Sequence, residues 1–407
     1  MGTELLLGDV VDTNSCQIAK ILNSLGVDLF RKTSVGDNFL RIKNALKEAL
    51  LRADIVIISG GLGPTEDDLT REAVSEALGK KLSVREDVFK RVKERLKHRN
   101  VPEKVILKQS LVPSSAEIIQ NPVGTAPGIV IEEKGKIIIL LPGVPRELKA
   151  MLPEVEKYLE KKVKSSSVIK SRILKVWGLT ESQVNEKIAP LMTQENPTVA
   201  LLAKEGEVHI RITAKFPPSE VEEKIKSVES IIREKIGDYI FGKDEDTLEK
   251  VVGNLLIEKN ITLSLAESCS GGLVCHRLTN VPGISASLLA GVVSYSNRAK
   301  SEILKVPERL IKEKGAVSYE VALKMAEGVR KLTGSCVSLG ITGIAGPTGG
   351  TPQKPVGLVY IALCAEEGKF CQRYIFPGER EMVKLRTSQA ALDILRRYLL
   401  GRLELKE

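Results

Sequence analysis

In the last third of this chain, three short apolar runs at 261–266, 288–294 and 336–341 each break off into a polar turn. Runs of that length are strands, and the first of them leads into the turn 267–272. After Glu267-Ser268-Cys269-Ser270-Gly271-Gly272, the apolar residues Leu273, Val274, Leu278 and Val281 recur at helical spacing until Pro282-Gly283 stops them. Repeated strand, turn and helix units can bury their apolar faces only by layering helices on a sheet, which makes this part α/β. If the three strands share one sheet and one polarity, their turns converge on one edge. That brings Ser268, Ser270, Lys300 and Thr342 within reach of one another.

The same alternation runs through residues 1–160 and predicts an α/β domain with a largely parallel sheet. Helices are expected at 14–25, with Ile18, Ala19, Leu22 and Leu25 on one face, and after Asp37-Asn38, through Ile42, Leu46 and Leu50. A buried strand at 54–59 leads into Gly60-Gly61-Leu62-Gly63-Pro64-Thr65-Glu66-Asp67-Asp68-Leu69-Thr70, and 129–141 reads as a hairpin. Between polar linkers at 161–170 and 242–246, a β-α-β-β-α unit carries helix starts at Thr180/Gln183 and Ser219/Glu222. The expected domains are 1–164, 168–243 and 247–407.

Composition removes several classes of function. A chain of 407 residues is expected to form two or three domains. No apolar run approaches the ~20 residues of a membrane span, and the start lacks the layout of a signal peptide. A cytoplasmic protein away from membranes is the expectation. Six cysteines without a C-x-x-C pair and three histidines argue against zinc and disulfide frameworks. Any metal would be held by carboxylates and phosphate. The net charge of +9 is spread among glutamates, and aromatics are 4% of the chain, so nucleic acid is not an expected partner. The middle unit also lacks the Gly-x-x-Gly loop of an RNA-clamping module.

A serine hydroxyl needs a base, and with no suitable histidine nearby in sequence a lysine of lowered pKa can serve. Ser268 with Lys300 fits that chemistry, and backbone N–H groups at Cys269 and the glycines after it would hold an oxyanion. Each residue also has a plain structural reading. Lys300 fits a solvated helix lysine, Ser268 an N-cap, Thr342 a turn residue and Arg380 an ordinary first-turn arginine. Cys269 is a rival nucleophile. Asp67 and Asp68 fit a divalent-cation site and an acidic helix cap equally well.

Several motifs resemble a known family. Gly2-Thr-Glu-Leu-Leu with Gly8 and Asp12-Thr-Asn14, the 60–70 stretch, Asn121-Pro-Val-Gly-Thr-Ala-Pro-Gly128 and Leu141-Pro-Gly-Val-Pro-Arg146 resemble the molybdopterin-binding-like domain of CinA proteins. The resemblance implies a ligand site at Asp37, Gly60, Gly61, Thr65, Asp67 and Asp68, the last two as metal ligands. It also implies cleavage of ADP-ribose to AMP and ribose 5-phosphate, with a divalent ion of Mg or Co type and K+. That domain has an apolar strand ahead of Gly-Thr-Glu-Leu, whereas the sequence starts at Met1-Gly2. Either the sequence begins late or the sheet lacks an inner strand, and the second case would leave backbone groups unpaired. The middle unit resembles the small KH-like domain of the same family, with a structural or dimer-bridging role, so a homodimer is expected.

Ala266-Glu-Ser-Cys-Ser-Gly-Gly272, Tyr295-Ser-Asn-Arg-Ala-Lys300, Gly315-Ala-Val-Ser318, Ile341-Thr-Gly-Ile-Ala-Gly-Pro347, Lys354-Pro-Val-Gly357 and Pro377-Gly-Glu-Arg380 resemble the CinA C-terminal domain. This implies hydrolysis of the carboxamide of nicotinamide mononucleotide, without a cofactor, to nicotinic acid mononucleotide and ammonia. Ser268 would be the nucleophile and Lys300 its base. Ser270, Gly271, Gly272, Tyr295, Thr342, Gly343, Gly346 and Arg380 would bind or orient the substrate. Two other classes stand beside this one. One is a molybdopterin-type binding protein with an inactive C-terminal domain, and the other a competence factor acting on DNA.

Overall fold

The computed structural model describes residues 1–98, 101–163 and 166–406, so the serine of the first linker at 165 and the domain end expected at 164 lie outside the described residues. The described chain divides into two compact units, 1–170 with 215–222, and 171–214 with 223–407.

The first unit is built on a four-stranded sheet in the order Ile55–Ser59, Lys136–Leu141, Gly128–Glu133, Glu117–Ile119. Only Ile55–Ser59 and Lys136–Leu141 run parallel, and the two remaining pairs are antiparallel, which corrects the largely parallel sheet expected. The reason is local. Lys134 and Gly135 sit at positive φ (50° and 79°), a two-residue turn that returns the chain beside itself. Ile138, Ile139, Leu140 and Leu141 are fully buried. Their alternation sends Ile138 and Leu140 into one core cluster and Ile139 and Leu141 into another, with Leu148, Met151 and Val155 of the helix Pro145–Lys162. Ile55–Ser59 has a partner strand on one side only among the described residues, and residues Thr3–Leu7 form a helix.

The second unit holds two sheets. In the smaller one, the order is Ile240–Lys243, Val168–Val176, Glu207–Phe216, Thr198–Lys204, and the helix Glu181–Met192 starts with the expected capping box of Thr180 and Gln183. The linker expected at 242–246 starts too early, because Gly242 and Lys243 pair with Lys175 and Leu174 as part of this sheet.

The larger sheet has the order Leu288–Val293, Leu263–Glu267, Val337–Gly343, Leu358–Cys364, Lys369–Ile375. The first three strands are mutually parallel and the last two antiparallel. Leu263 and Leu265 pack with the helices Leu248–Glu258 and Arg380–Leu399, whereas Ala266 packs with Val321, Met325 and Val329 of Tyr319–Thr333. Leu288–Val293, expected to be buried, alternates in exposure, and Leu289 and Val293 face solvent. As the edge strand it has a neighbour on one side only.

The smaller sheet's domain is fastened to the last helix. Gln389 Nε2 donates to Glu207 Oε1 (2.6 Å) and Arg396 Nη2 to the Asp238 carbonyl (2.9 Å). Trp177 and Phe241 join the larger domain's core.

Candidate active site

Parallel register decides what meets at the sheet edge. Glu267 lies opposite Val293 on one side and Ile341 on the other, so Ser268 and Ser294 leave the sheet together beside Thr342, which is still paired with Tyr360 in its own strand. The Ser268 N–H donates to the Ile341 carbonyl (3.0 Å), fixing the first residue of the turn. The helix Asn297–Glu302, capped by the Ser296 hydroxyl, then swings Lys300 back over this edge.

Lys300 is not the solvated lysine of the plain reading. Its side chain is buried, and Nζ donates to Ser268 Oγ (2.9 Å), the Ser294 carbonyl (2.7 Å) and the Tyr295 carbonyl (3.4 Å). No carboxylate pairs with it among the described residues, and burial lowers its pKa below that of a free lysine. Burial thus favours the neutral amine. Its lone pair then faces the Ser268 hydroxyl while its two remaining N–H bonds serve the carbonyls. Cys269, the rival, is buried, and desolvation pushes its thiol up to about 12, so it stays protonated.

Ser268 and Lys300 open onto a cavity of about 220 Å³, also lined by Cys269, Tyr295, Thr342, Gly343 and Arg380. Arg380 begins the helix Arg380–Leu399, donating from Nη1 to the Gly346 carbonyl (2.7 Å) and from Nη2 to the Tyr295 hydroxyl (2.6 Å). Thr342 Oγ1 donates to the Ala316 carbonyl (2.8 Å), so its proton is spent on holding a wall of the cavity. That wall, Ala316 and Val317, is pinned from its other side by Lys354, whose Nζ donates to the Lys314 (2.6 Å) and Val317 (2.7 Å) carbonyls. Gly343 has no room for a side chain, since a Cβ would sit 2.7 Å from the Leu358 carbonyl and 3.0 Å from Cys269 Sγ.

Ser270, Gly271, Gly272 and Gly346 are not on the cavity wall. Ser270 is fully buried, and its Oγ has no partner among the described residues. The glycine amides are already engaged. Gly271 N–H donates to the Ser268 carbonyl, and the buried Glu267 carboxylate accepts from the N–H groups of Gly272 (3.0 Å), Val274 (3.2 Å) and Cys275 (2.9 Å). The amides of Cys269 and Ser270 remain without an oxygen acceptor among the described residues, directly after Ser268. Glu267 had no signal in the sequence beyond being the single charge that ends an apolar run. Lys354 stood in the motif Lys354-Pro-Val-Gly357, which assigned it no role of its own.

In the first unit, a cavity of about 1190 Å³ brings together Asp37, Gly60, Gly61, Asp67 and Asp68, while Thr65 is not on its wall. Gly60 and Gly61 have positive φ (105° and 69°), and a Cβ on Gly61 would meet Thr70 Oγ1 at 2.2 Å. The carboxylates are largely committed. Asp37 Oδ2 accepts from Thr3 N–H (2.8 Å) and Oγ1 (2.9 Å), and Asp68 Oδ2 from the N–H and hydroxyl of Thr65. The Thr65 hydroxyl also holds the exposed Asp67 carboxyl below the usual range. No group of three or more His, Cys, Asp or Glu residues among the described residues is placed to hold a metal. Nor is any helix long and apolar enough to cross a membrane among those residues.

Family comparisons cover nearly the whole chain. Residues 1–161 match a probable molybdopterin binding domain, residues 171–242 the damage-inducible protein CinA KH domain, and residues 245–399 the CinA C-terminal domain. A CinA-like protein of Dictyoglomus turgidum is 47% identical over 407 residues, 98% of each chain. A CinA-like protein of Dictyoglomus thermophilum is 47% identical over 406 residues, again 98% of each. The solved structure of a CinA superfamily protein from Klebsiella pneumoniae is 31% identical, with a TM-score of 0.37, covering 38% of this chain and 96% of its own.

Proposed function

Because the chain belongs to the CinA family, with the family's three-domain architecture, we propose that its C-terminal domain is an amidohydrolase that converts nicotinamide mononucleotide to nicotinic acid mononucleotide and ammonia. The observation that carries this reading is the 2.9 Å contact between Ser268 Oγ and a buried lysine with no carboxylate partner among the described residues. Neutral Lys300 takes the Ser268 proton as Oγ attacks the carboxamide carbon. The oxyanion turns to the amides of Cys269 and Ser270, which reach no oxygen acceptor among the described residues. Collapse of the tetrahedral species breaks the C–N bond, and the departing nitrogen takes the proton from Lys300 to leave as ammonia. A water then attacks the serine ester, giving a proton to Lys300. The bond from the acyl carbon to Oγ breaks as Lys300 returns that proton to Ser268, which releases the acid and restores the neutral amine. Tyr295, Thr342 and Arg380 shape the binding side, and no cofactor is needed.

Ammonia release from nicotinamide mononucleotide tests this. Ser268→Ala is expected to lose all turnover with the thermal transition unchanged. Near-normal release from that variant would remove Ser268 from the chemistry.

For the N-terminal domain the reading is a second hydrolysis, of ADP-ribose to AMP and ribose 5-phosphate, with a divalent ion and K+. Its support is the cavity that gathers Asp37, Asp67, Asp68 and the paired glycines. Asp67 and Asp68 do not by themselves make a metal site, since Asp68 is tied to Thr65 and no third ligand stands nearby among the described residues. Metal-dependent ADP-ribose hydrolysis that survives Asp68→Ala would overturn this second assignment. A cytoplasmic homodimer acting on these two small molecules, apart from nucleic acid, completes the reading.

A further inference from the structure

The place of the substrate's phosphate is set by what the glycine turn can no longer offer. The turn 268–272 and the helix Leu273–Thr279 present N–H groups of the kind that bind anions, but Glu267 already occupies those of Gly272, Val274 and Cys275. A phosphate brought there would meet a buried carboxylate carrying like charge. Two cations stand close by instead. Arg380 lies on the cavity wall, and Lys384 comes one turn later in the same helix, on the same face. The Lys384 ammonium sits 3.7 Å from where a Cβ on Gly271 would lie, so it overhangs the exposed side of the turn that carries Ser268. It forms no ion pair or hydrogen bond among the described residues. Positive charge this near a helix start is unfavourable in itself.

The cavity is small beside a whole nucleotide. Its buried end, at Ser268 and Lys300, takes the carboxamide, and the rest of the molecule must leave past Arg380, which is exposed. Resting on the amidohydrolase reading, we propose that Lys384 acts with Arg380 to receive the phosphomonoester of the substrate, and thereby makes the site prefer a nucleotide over its nucleoside. Gly271 is part of this device. With φ at +66° it makes the turn, and its lack of a side chain leaves the space before Lys384 open.

The test compares wild type, Lys384→Ala and Lys384→Arg on nicotinamide mononucleotide and on nicotinamide riboside, which lacks the phosphate. Alanine is a good helix former at an open helix position, so the fold is expected to stand. Loss of one charged contact is expected to raise KM for the nucleotide about 10- to 100-fold, with kcat within about threefold. KM for the riboside should not move, and arginine should restore most of the difference. An unchanged KM for the nucleotide, or an equal rise for both substrates, would overturn the proposal. Should wild type release no ammonia from either, the amidohydrolase reading fails separately, and titration calorimetry with inorganic phosphate decides this one. Weaker phosphate binding by Lys384→Ala than by wild type would uphold it, and equal or absent binding in both would end it.

Discussion

Ser268 and Lys300 are 32 positions apart in sequence and 2.9 Å apart in space. What makes the pair useful is the company Lys300 keeps: two carbonyls, a hydroxyl and no carboxylate among the described residues. Its pKa is depressed by burial, so the folded site favours the neutral amine that the chemistry needs. Activity is therefore expected to rise with pH through that depressed pKa and to level off before a free lysine would titrate. The kcat/KM profile checks this. Stability has the same sign. Between the folded and unfolded pKa values the unfolded chain binds more protons, so folding becomes more favourable as pH rises across that window. Lys300→Arg keeps a cation that cannot give up its proton, and turnover is expected to fall at least about 100-fold at every pH. The two residues were legible in the sequence because each ends a recognisable strand-and-turn unit. The burial that converts an ordinary lysine into a base was not legible, since it comes from the helix Asn297–Glu302 folding over the sheet edge.

The turn between the strand Leu263–Glu267 and the helix Leu273–Thr279 owes its shape to a side chain that sequence reasoning passed over. Glu267 looks like the polar end of an apolar strand, and only the three N–H groups converging on it reveal its task. Glu267→Ala would leave those donors unsatisfied in a buried place. A loss of roughly 2–4 kcal/mol in denaturant unfolding is expected, with kcat falling because the amides after Ser268 lose their alignment. A variant as stable as wild type would show that the turn holds itself. The wall opposite is built in the same manner, with Thr342 and Lys354 gripping the 314–317 backbone from two sides. Elements were otherwise legible wherever apolar period and caps agreed, as at Thr180/Gln183. They were misread where a neighbour decided the outcome. Gly242 and Lys243 looked like linker because their strand partner, Lys175 with Leu174, lies far back in the chain.

In the molecule as a whole, the middle domain and the C-terminal domain behave as one body in packing terms, with Trp177 in the larger domain's core. Trp177 is the chain's single tryptophan, so its fluorescence reports on that unit alone. Nicotinamide mononucleotide at about 100 times its Kd is expected to stabilise that unit by about 2.7 kcal/mol and to move the fluorescence-detected Tm upward by several degrees. ADP-ribose should leave that transition where it is. A fluorescence transition indifferent to the mononucleotide would place its binding elsewhere. The domain order was legible from motifs, whereas this fusion was not, because Gln389, Arg396 and Asp238 carry no motif at all. The cysteine beside Ser268 differs in reactivity from the outer thiols. Cys269 touches the cavity but is buried and protonated, while Cys16 and Cys336 are exposed and Thr262 draws the Cys336 thiol toward its anion. Alkylating agents and mild oxidants should therefore spend themselves on the outer thiols and leave turnover intact, so that a fluorescent maleimide can tag the working enzyme.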